Sequence, residues 1–151
     1  MTSERKVICL DACIFIDWLK NEPGRADLIA ALFEDAEAEK VQLITSTMAI
    51  LETVYVPDKT LEEARQAIDD LFAQPWLTVV QFNREIAREG ALIAARHGIV
   101  KKMIRDCAYV ATAKLKGASH IYTFDEKFIE KFSSGDEGVT VCWPSAEARL
   151  F

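Results

Sequence analysis

The sequence has little histidine, glycine or proline: two, six and four residues of 151. The two histidines, His97 and His120, lack a partner at ligand spacing, which leaves zinc chemistry without its donors. None of the four cysteines (Cys9, Cys13, Cys107 and Cys142) forms a CxxC pair, and each sits among apolar residues. A chain that can build a core has no need of a disulfide framework, so buried reduced thiols are expected. No glycine-rich loop follows an apolar run, which excludes the phosphate cradle of nucleotide-binding folds. No G-x-S-x-G elbow is present for nucleophilic triad chemistry. No uninterrupted apolar run approaches the roughly 18 residues of a membrane span. Met1 to Lys6 is polar and the next apolar run is broken by Asp11 and Asp17, so no secretory signal is expected and the expected location is the cytoplasm. Repeats, linkers and low-complexity segments are also missing, and one domain over 1–151 is expected.

What is present is a hydrophobic half of the residues. A chain of this size buries roughly 68–70% of its unfolded surface, which suffices for an ordered core. The net charge of −6 runs mildly against nucleic-acid binding, but it is unevenly spread. From Asn83 to Lys131 there are ten Lys/Arg and six Asp/Glu, a net of +4; the remainder has eight and eighteen, a net of −10. Lys101, Lys102 and Arg105 sit just ahead of Asp106 in the basic part and, with Arg96, are candidates for contacts to phosphate groups. A solvated surface is the plainer reading of the same cluster.

Short β-rich runs alternate with helical patterns. Strands are predicted at Lys6 to Leu10, Val41 to Thr45, Leu77 to Phe82, Ser119 to Thr123 and Val139 to Cys142. Helices are predicted at Ala12 to Lys20, Arg25 to Glu39, Thr47 to Val56 (closed by Pro57), from a Thr60/Glu63 capping box onward, from Asn83 to His97, at Arg105 to Lys116 and around Glu126 to Phe132. Strands separated by helices imply a parallel sheet covered on both faces, with its reactive side outside the carboxyl ends of the strands.

Four carboxylates stand out. Asp11 and Asp125 each follow a predicted strand; Glu52 lies in the apolar run Thr47 to Val56; Asp106 opens an otherwise apolar helix. Each has an ordinary explanation alone: a helix cap for Asp11, an outer-face residue for Glu52, a helix-dipole contact for Asp106, a turn residue for Asp125. Together, in a parallel sheet, all four are expected to converge on one edge. Converging carboxylates repel, and a hard divalent ion relieves that repulsion. Such an ion activates water and stabilises charge on a phosphate, and two ions roughly 3.5–4 Å apart clamp both attacking and leaving oxygens.

These residues resemble the motifs of the PIN-domain family. Leu10-Asp-Ala-Cys-Ile-Phe-Ile16 is similar to its opening motif, Ser46 to Glu52 to its second, Arg105-Asp-Cys-Ala-Tyr-Val-Ala-Thr-Ala113 to its third and Tyr122-Thr-Phe-Asp-Glu-Lys-Phe128 to its fourth. The resemblance runs from about Val7 to Val141. It implies an α/β/α sandwich on a five-stranded parallel sheet and magnesium- or manganese-dependent RNA cleavage, in which metal-activated water attacks the phosphodiester. Asp11, Glu52, Asp106 and Asp125 match the carboxylates of that site. Thr123 matches a small hydroxyl residue that helps orient water there. Members of this size are commonly VapC-type toxins: homodimers, inhibited by a small antitoxin that covers the site, and directed at tRNA or ribosomal RNA. One departure is Cys13, a weak donor where the family often has Asn or Ser. Asp17 reads as a solvated helix residue rather than an extra acid.

Other readings fit less well. A haloacid-dehalogenase phosphotransferase wants an aspartate where Cys13 stands, and a receiver domain wants an acid pair near the first strand. The rival from another class is a PIN-like module that binds RNA or protein without cutting; the presence of all four acids weighs against it.

Overall fold

A computed structural model describes residues 5–145; residues 1–4 and 146–151, which include most of the polar opening stretch, lie outside the described residues. Five strands, β1 (Lys6–Leu10), β2 (Val41–Ser46), β3 (Leu77–Val80), β4 (His120–Tyr122) and β5 (Thr140–Cys142), form one sheet in the order β3-β2-β1-β4-β5. Every neighbouring pair is parallel. The crossovers are helical: α1 (Ala12–Leu19) and α2 (Ala26–Glu37), then α3 (Thr47–Glu52) and α4 (Leu61–Phe72), then α5 (Arg84–Arg96) and α6 (Ile104–Leu115), and finally α7 (Glu126–Lys131). This is the expected α/β architecture.

β1 is central because both faces are covered. Ile8, Cys9 and Leu10 have no exposure at all, as a strand inside a parallel sheet requires. Its register sets Leu10 beside Tyr122, so Asp11 and Thr123 leave the sheet side by side. Between β1 and β4 the strand order reverses, and at such a switch the loops part to leave a crevice at the carboxyl edge.

Local chemistry explains the helix starts. Thr60 and Glu63 form the reciprocal capping box of α4, with hydrogen bonds of 2.9 and 3.1 Å. Asn83 caps α5 through the Ile86 N–H at 3.0 Å. Gly90 on α5 faces the Cys107 backbone of α6, where a Cβ would make ordinary van der Waals contact at 3.5 Å from the carbonyl oxygen. α6 starts without a side-chain cap, from Met103 in the left-handed region at φ 70°.

Three expectations need correction. α3 ends at Glu52, not Val56. β-branched Thr53 and Val54 favour helix poorly, and Val56 precedes Pro57, which disfavours helical backbone. Val56 instead turns inward and is buried. Asp17 is not solvated: it is 6% exposed and its Oδ2 accepts from Arg25 Nη1 at 2.9 Å. Arg25 in turn lies over the Phe124 ring at 4.6 Å, tying the start of α2 to the loop after β4. Of the four cysteines, all free thiols, Cys9 and Cys107 are buried, whereas Cys13 and Cys142 are only partly so.

Candidate metal centre

Asp11 occupies the cap position of α1 yet makes no side-chain capping bond. Its Oδ2 is taken instead by the Thr123 hydroxyl at 2.7 Å, across the β1–β4 switch. Thr123, with no exposed surface, also accepts the Asp125 N–H at 3.1 Å. One hydroxyl thus orients the first aspartate and the backbone of the fourth. The Cys13 sulfur lies in the same knot: 3.3 Å from Thr123 Oγ1, 3.6 Å from Asp11 Oδ2, and accepting the Phe124 N–H at 3.3 Å. Burial, followed by the charge of Asp11, pushes the Cys13 thiol up, so it stays protonated. A cysteine therefore holds the loop after β4 at the position where Asn or Ser was expected.

Glu52 reaches the site from the last residue of α3. Ser46 starts that helix by accepting the Met48 N–H at 3.1 Å, and Thr47 Oγ1 accepts the Phe82 N–H at 3.1 Å, pinning α3 to the end of β3. The Glu52 carboxylate is met by two α6 side chains: the Tyr109 hydroxyl donates to Oε1 at 3.1 Å, and Arg105 Nη1 stands 3.7 Å from Oε2. Asp106, half-buried in the first turn of α6, lies between those two partners in sequence. Asp125, exposed, caps α7 through Oδ1, which accepts the N–H of Lys127 at 3.0 Å and of Phe128 at 3.3 Å.

The electrostatics link the four. Burial pushes the Asp106 carboxyl up to about 7, and the charges of Asp11, Asp125 and Glu52, in that order, add to the push. Asp11 is raised mainly by burial, against the lowering by its Thr123 hydrogen bond, and Asp125 adds to the rise. Glu52 is raised by burial, with Tyr109 opposing and Asp11 adding. The acids therefore repel one another on top of the cost of burial; Arg105 offsets part of this at Glu52 and Asp106, and a bound divalent cation would offset more.

The side chains do not close on one point as they stand. Among the described residues no three His, Cys, Asp or Glu side chains are gathered tightly enough to hold an ion. Each of three acids has an oxygen tied elsewhere: Asp11 to Thr123, Glu52 to Tyr109, Asp125 to its helix. The donor chemistry nonetheless fits a hard divalent cation, being all oxygen and negatively charged.

The PIN domain family model matches residues 8–131, a span that holds all four acids. The chain belongs to the PIN domain family. No curated protein sequence matches it closely enough to count as a relative. Solved structures share the fold at low identity. VapBC2 from Rickettsia felis, bound to a DNA fragment from its promoter, superposes with a TM-score of 0.65 at 16% identity, covering 91% of this chain and 98% of that one. A toxin–antitoxin complex from Klebsiella pneumoniae gives 0.61 at 18%, covering 91% and 98%. VapC20 of Mycobacterium tuberculosis, a Sarcin-Ricin loop cleaving toxin, gives 0.64 at 19%, covering 80% and 92%.

Within this PIN domain the basic candidates separate. Lys101 and Lys102 are exposed, and neither has an ion pair among the described residues. Arg105 is 72% exposed at its side chain and reaches Glu52. Arg96 is engaged elsewhere: it donates to Glu137 at 2.8 and 3.2 Å and to Glu89 at 3.4 Å. Sequence reasoning missed Tyr109. The available signal was its spacing three residues after Asp106, which puts both on one face of α6.

Proposed function

We propose that this chain is a metal-dependent endoribonuclease that hydrolyses RNA phosphodiester bonds, acting as the toxin of a toxin–antitoxin pair. The reading is supported by the electrostatic coupling of Asp11, Glu52, Asp106 and Asp125, four acids from separate segments: burial first, and then the charges of Asp11, Asp125 and Glu52, push the Asp106 carboxyl up to about 7. Asp11, Glu52, Asp106 and Asp125 would hold Mg2+ or Mn2+. When bound, the ion supplies charge stabilisation at the scissile phosphate and lowers the pKa of water. Thr123 binds the Asp11 carboxylate and the Asp125 N–H, and would steady both acids for the ion. Lys101, Lys102 and Arg105 offer positive charge to the RNA backbone next to a site that would otherwise repel it; Arg96, held by Glu137, contributes at most to the surrounding field.

The partners proposed are RNA, with tRNA or ribosomal RNA as the substrate class, a cognate antitoxin and a second copy of the chain in a homodimer. Support for protein partners comes from apolar side chains on the segments that carry Glu52 and lead to Asp106: Leu51, Val54, Tyr55 and Val100 are 76, 61, 68 and 81% exposed. Among the described residues no helix is long and apolar enough to cross a membrane, and cytoplasmic action on RNA is part of the proposal.

The unclosed arrangement of the acids favours one second reading, a PIN-like module that binds RNA or protein without cutting. The two separate on manganese. An ion-binding site adds about 2.7 kcal/mol of stability at a metal concentration 100 times Kd. That gain together with RNA hydrolysis supports the nuclease; no gain and no hydrolysis favours the module.

A further inference from the structure

Glu52 is the acid with the weakest covalent anchorage. It is the last residue of a six-residue helix, and the chain leaves helical geometry at Thr53. Its side chain has three rotatable bonds before the carboxylate, so the backbone alone leaves its oxygens free to swing. What restrains them comes from α6. Tyr109 is 1% exposed and among the largest fully buried side chains, and its hydroxyl donates to Glu52 Oε1 at 3.1 Å. A buried hydroxyl costs free energy unless it is paired, and the carboxylate of Glu52 is the partner the structure gives it. A phenol ionises only near pH 10, so it remains a donor at any working pH. Arg105, by contrast, stands farther from Glu52 at 3.7 Å and is largely exposed, which makes it the weaker restraint.

Tyr109 and Asp106 share one face of α6, three residues apart. The element that presents Asp106 to the site therefore also grips the acid opposite it. We propose that Tyr109 is a positioning residue, whose buried phenol holds one oxygen of Glu52 and so fixes the α3 carboxylate in register with Asp106 for a divalent cation. Tyr109 itself touches neither ion nor substrate. The inference rests on the metal-dependent reading above, and its test separates the two.

The test is Mn2+ binding to the purified protein, followed by calorimetry, for the wild type, Tyr109→Phe, Glu52→Gln and the double variant. Tyr109→Phe keeps the ring and its packing and removes only the donor; near-ultraviolet circular dichroism verifies the fold of each. Loss of a group that orients a ligand lowers metal affinity by about 10–100-fold. The expected result is a drop of about tenfold in the Tyr109→Phe protein that disappears when Glu52 is already Gln. A merely structural role would lower affinity equally in both backgrounds, and that result overturns the proposal. Wild-type affinity in Tyr109→Phe also overturns it, while leaving the metal reading intact. No Mn2+ uptake by the wild type overturns the metal reading and the role of Tyr109 with it.

Discussion

Thr123 and Asp106 carry opposite stability consequences. Thr123 satisfies two groups, the Asp11 carboxylate and the Asp125 N–H, inside a site with no solvent access to its side chain. Thr123→Val keeps the shape and removes both bonds; denaturant unfolding should show a loss of about 1–3 kcal/mol, and Mn2+ affinity should fall about 10–100-fold. Asp106 is held above its ordinary value of 3.8, at about 7. A carboxyl raised on folding leaves stability intact below the unfolded pKa and loses it as pH rises toward the folded one. The loss for Asp106 therefore accrues between about pH 3.8 and pH 7 and is complete above that. Asp106→Asn should raise metal-free stability at pH 8 by about 2 kcal/mol after solvent screening, with the gain shrinking to a fraction at pH 5. Thermal unfolding in chelator at both pH values checks this; an equal gain at both would contradict the repulsion argument. At this scale the sequence made the acids visible through their type and their places: Asp11 and Asp125 after strands, Glu52 in an apolar run and Asp106 at a helix start. It did not make Tyr109 or the hold of Cys13 on Phe124 visible, because both are contacts between segments far apart in the chain.

Elements are where the reading from sequence was most nearly complete. Caps at Thr60 and Asn83 and the apolar faces of α2 and α4 lie in local patterns that survive into the fold. Helix α3 is shorter than its apolar run, because that run continues past Glu52 while the backbone preference changes at Thr53 and Val54. Ion pairs between elements were not legible. Glu137, in the turn before β5, has a side chain only 5% exposed and accepts from Arg96 and Lys114 at 2.8 and 3.0 Å, with His97 Nε2 at 2.9 Å. This knot fastens the carboxyl ends of α5 and α6 to the last strand. Arg96, followed by Lys114 and His97, holds the Glu137 carboxyl down at about 2. A depressed folded pKa gives stability that is present above the unfolded value of about 4.5 and is lost as pH falls toward 2. Glu137→Gln should cost about 2 kcal/mol at pH 7, less at pH 3, and leave Mn2+ affinity unchanged. Denaturant midpoints at the two pH values read the first effect, and a changed metal affinity would show that the knot communicates with the site.

For the whole molecule, the parallel sheet followed from alternating elements, but its order did not. Placing β1 between β2 and β4 depends on hydrogen bonds formed only in the assembled sheet, and that order is what brings Asp11 beside Thr123. The charge asymmetry read from the sequence survives as an exposed pair, Lys101 and Lys102, on the loop leading to α6. Replacing both with Glu should weaken RNA binding and flatten the slope of log affinity against log salt by about 1.4, roughly 0.7 per phosphate contact on a single strand. An unchanged slope would remove these lysines from the RNA surface. The proposed RNA cleavage by a metal held on the four acids is read by incubating purified, antitoxin-free protein with total RNA, with and without Mn2+, beside Asp11→Asn. Discrete Mn2+-dependent cuts that the Asp11→Asn protein does not make are the predicted result; a wild type that binds RNA yet leaves it whole in Mn2+ would contradict it.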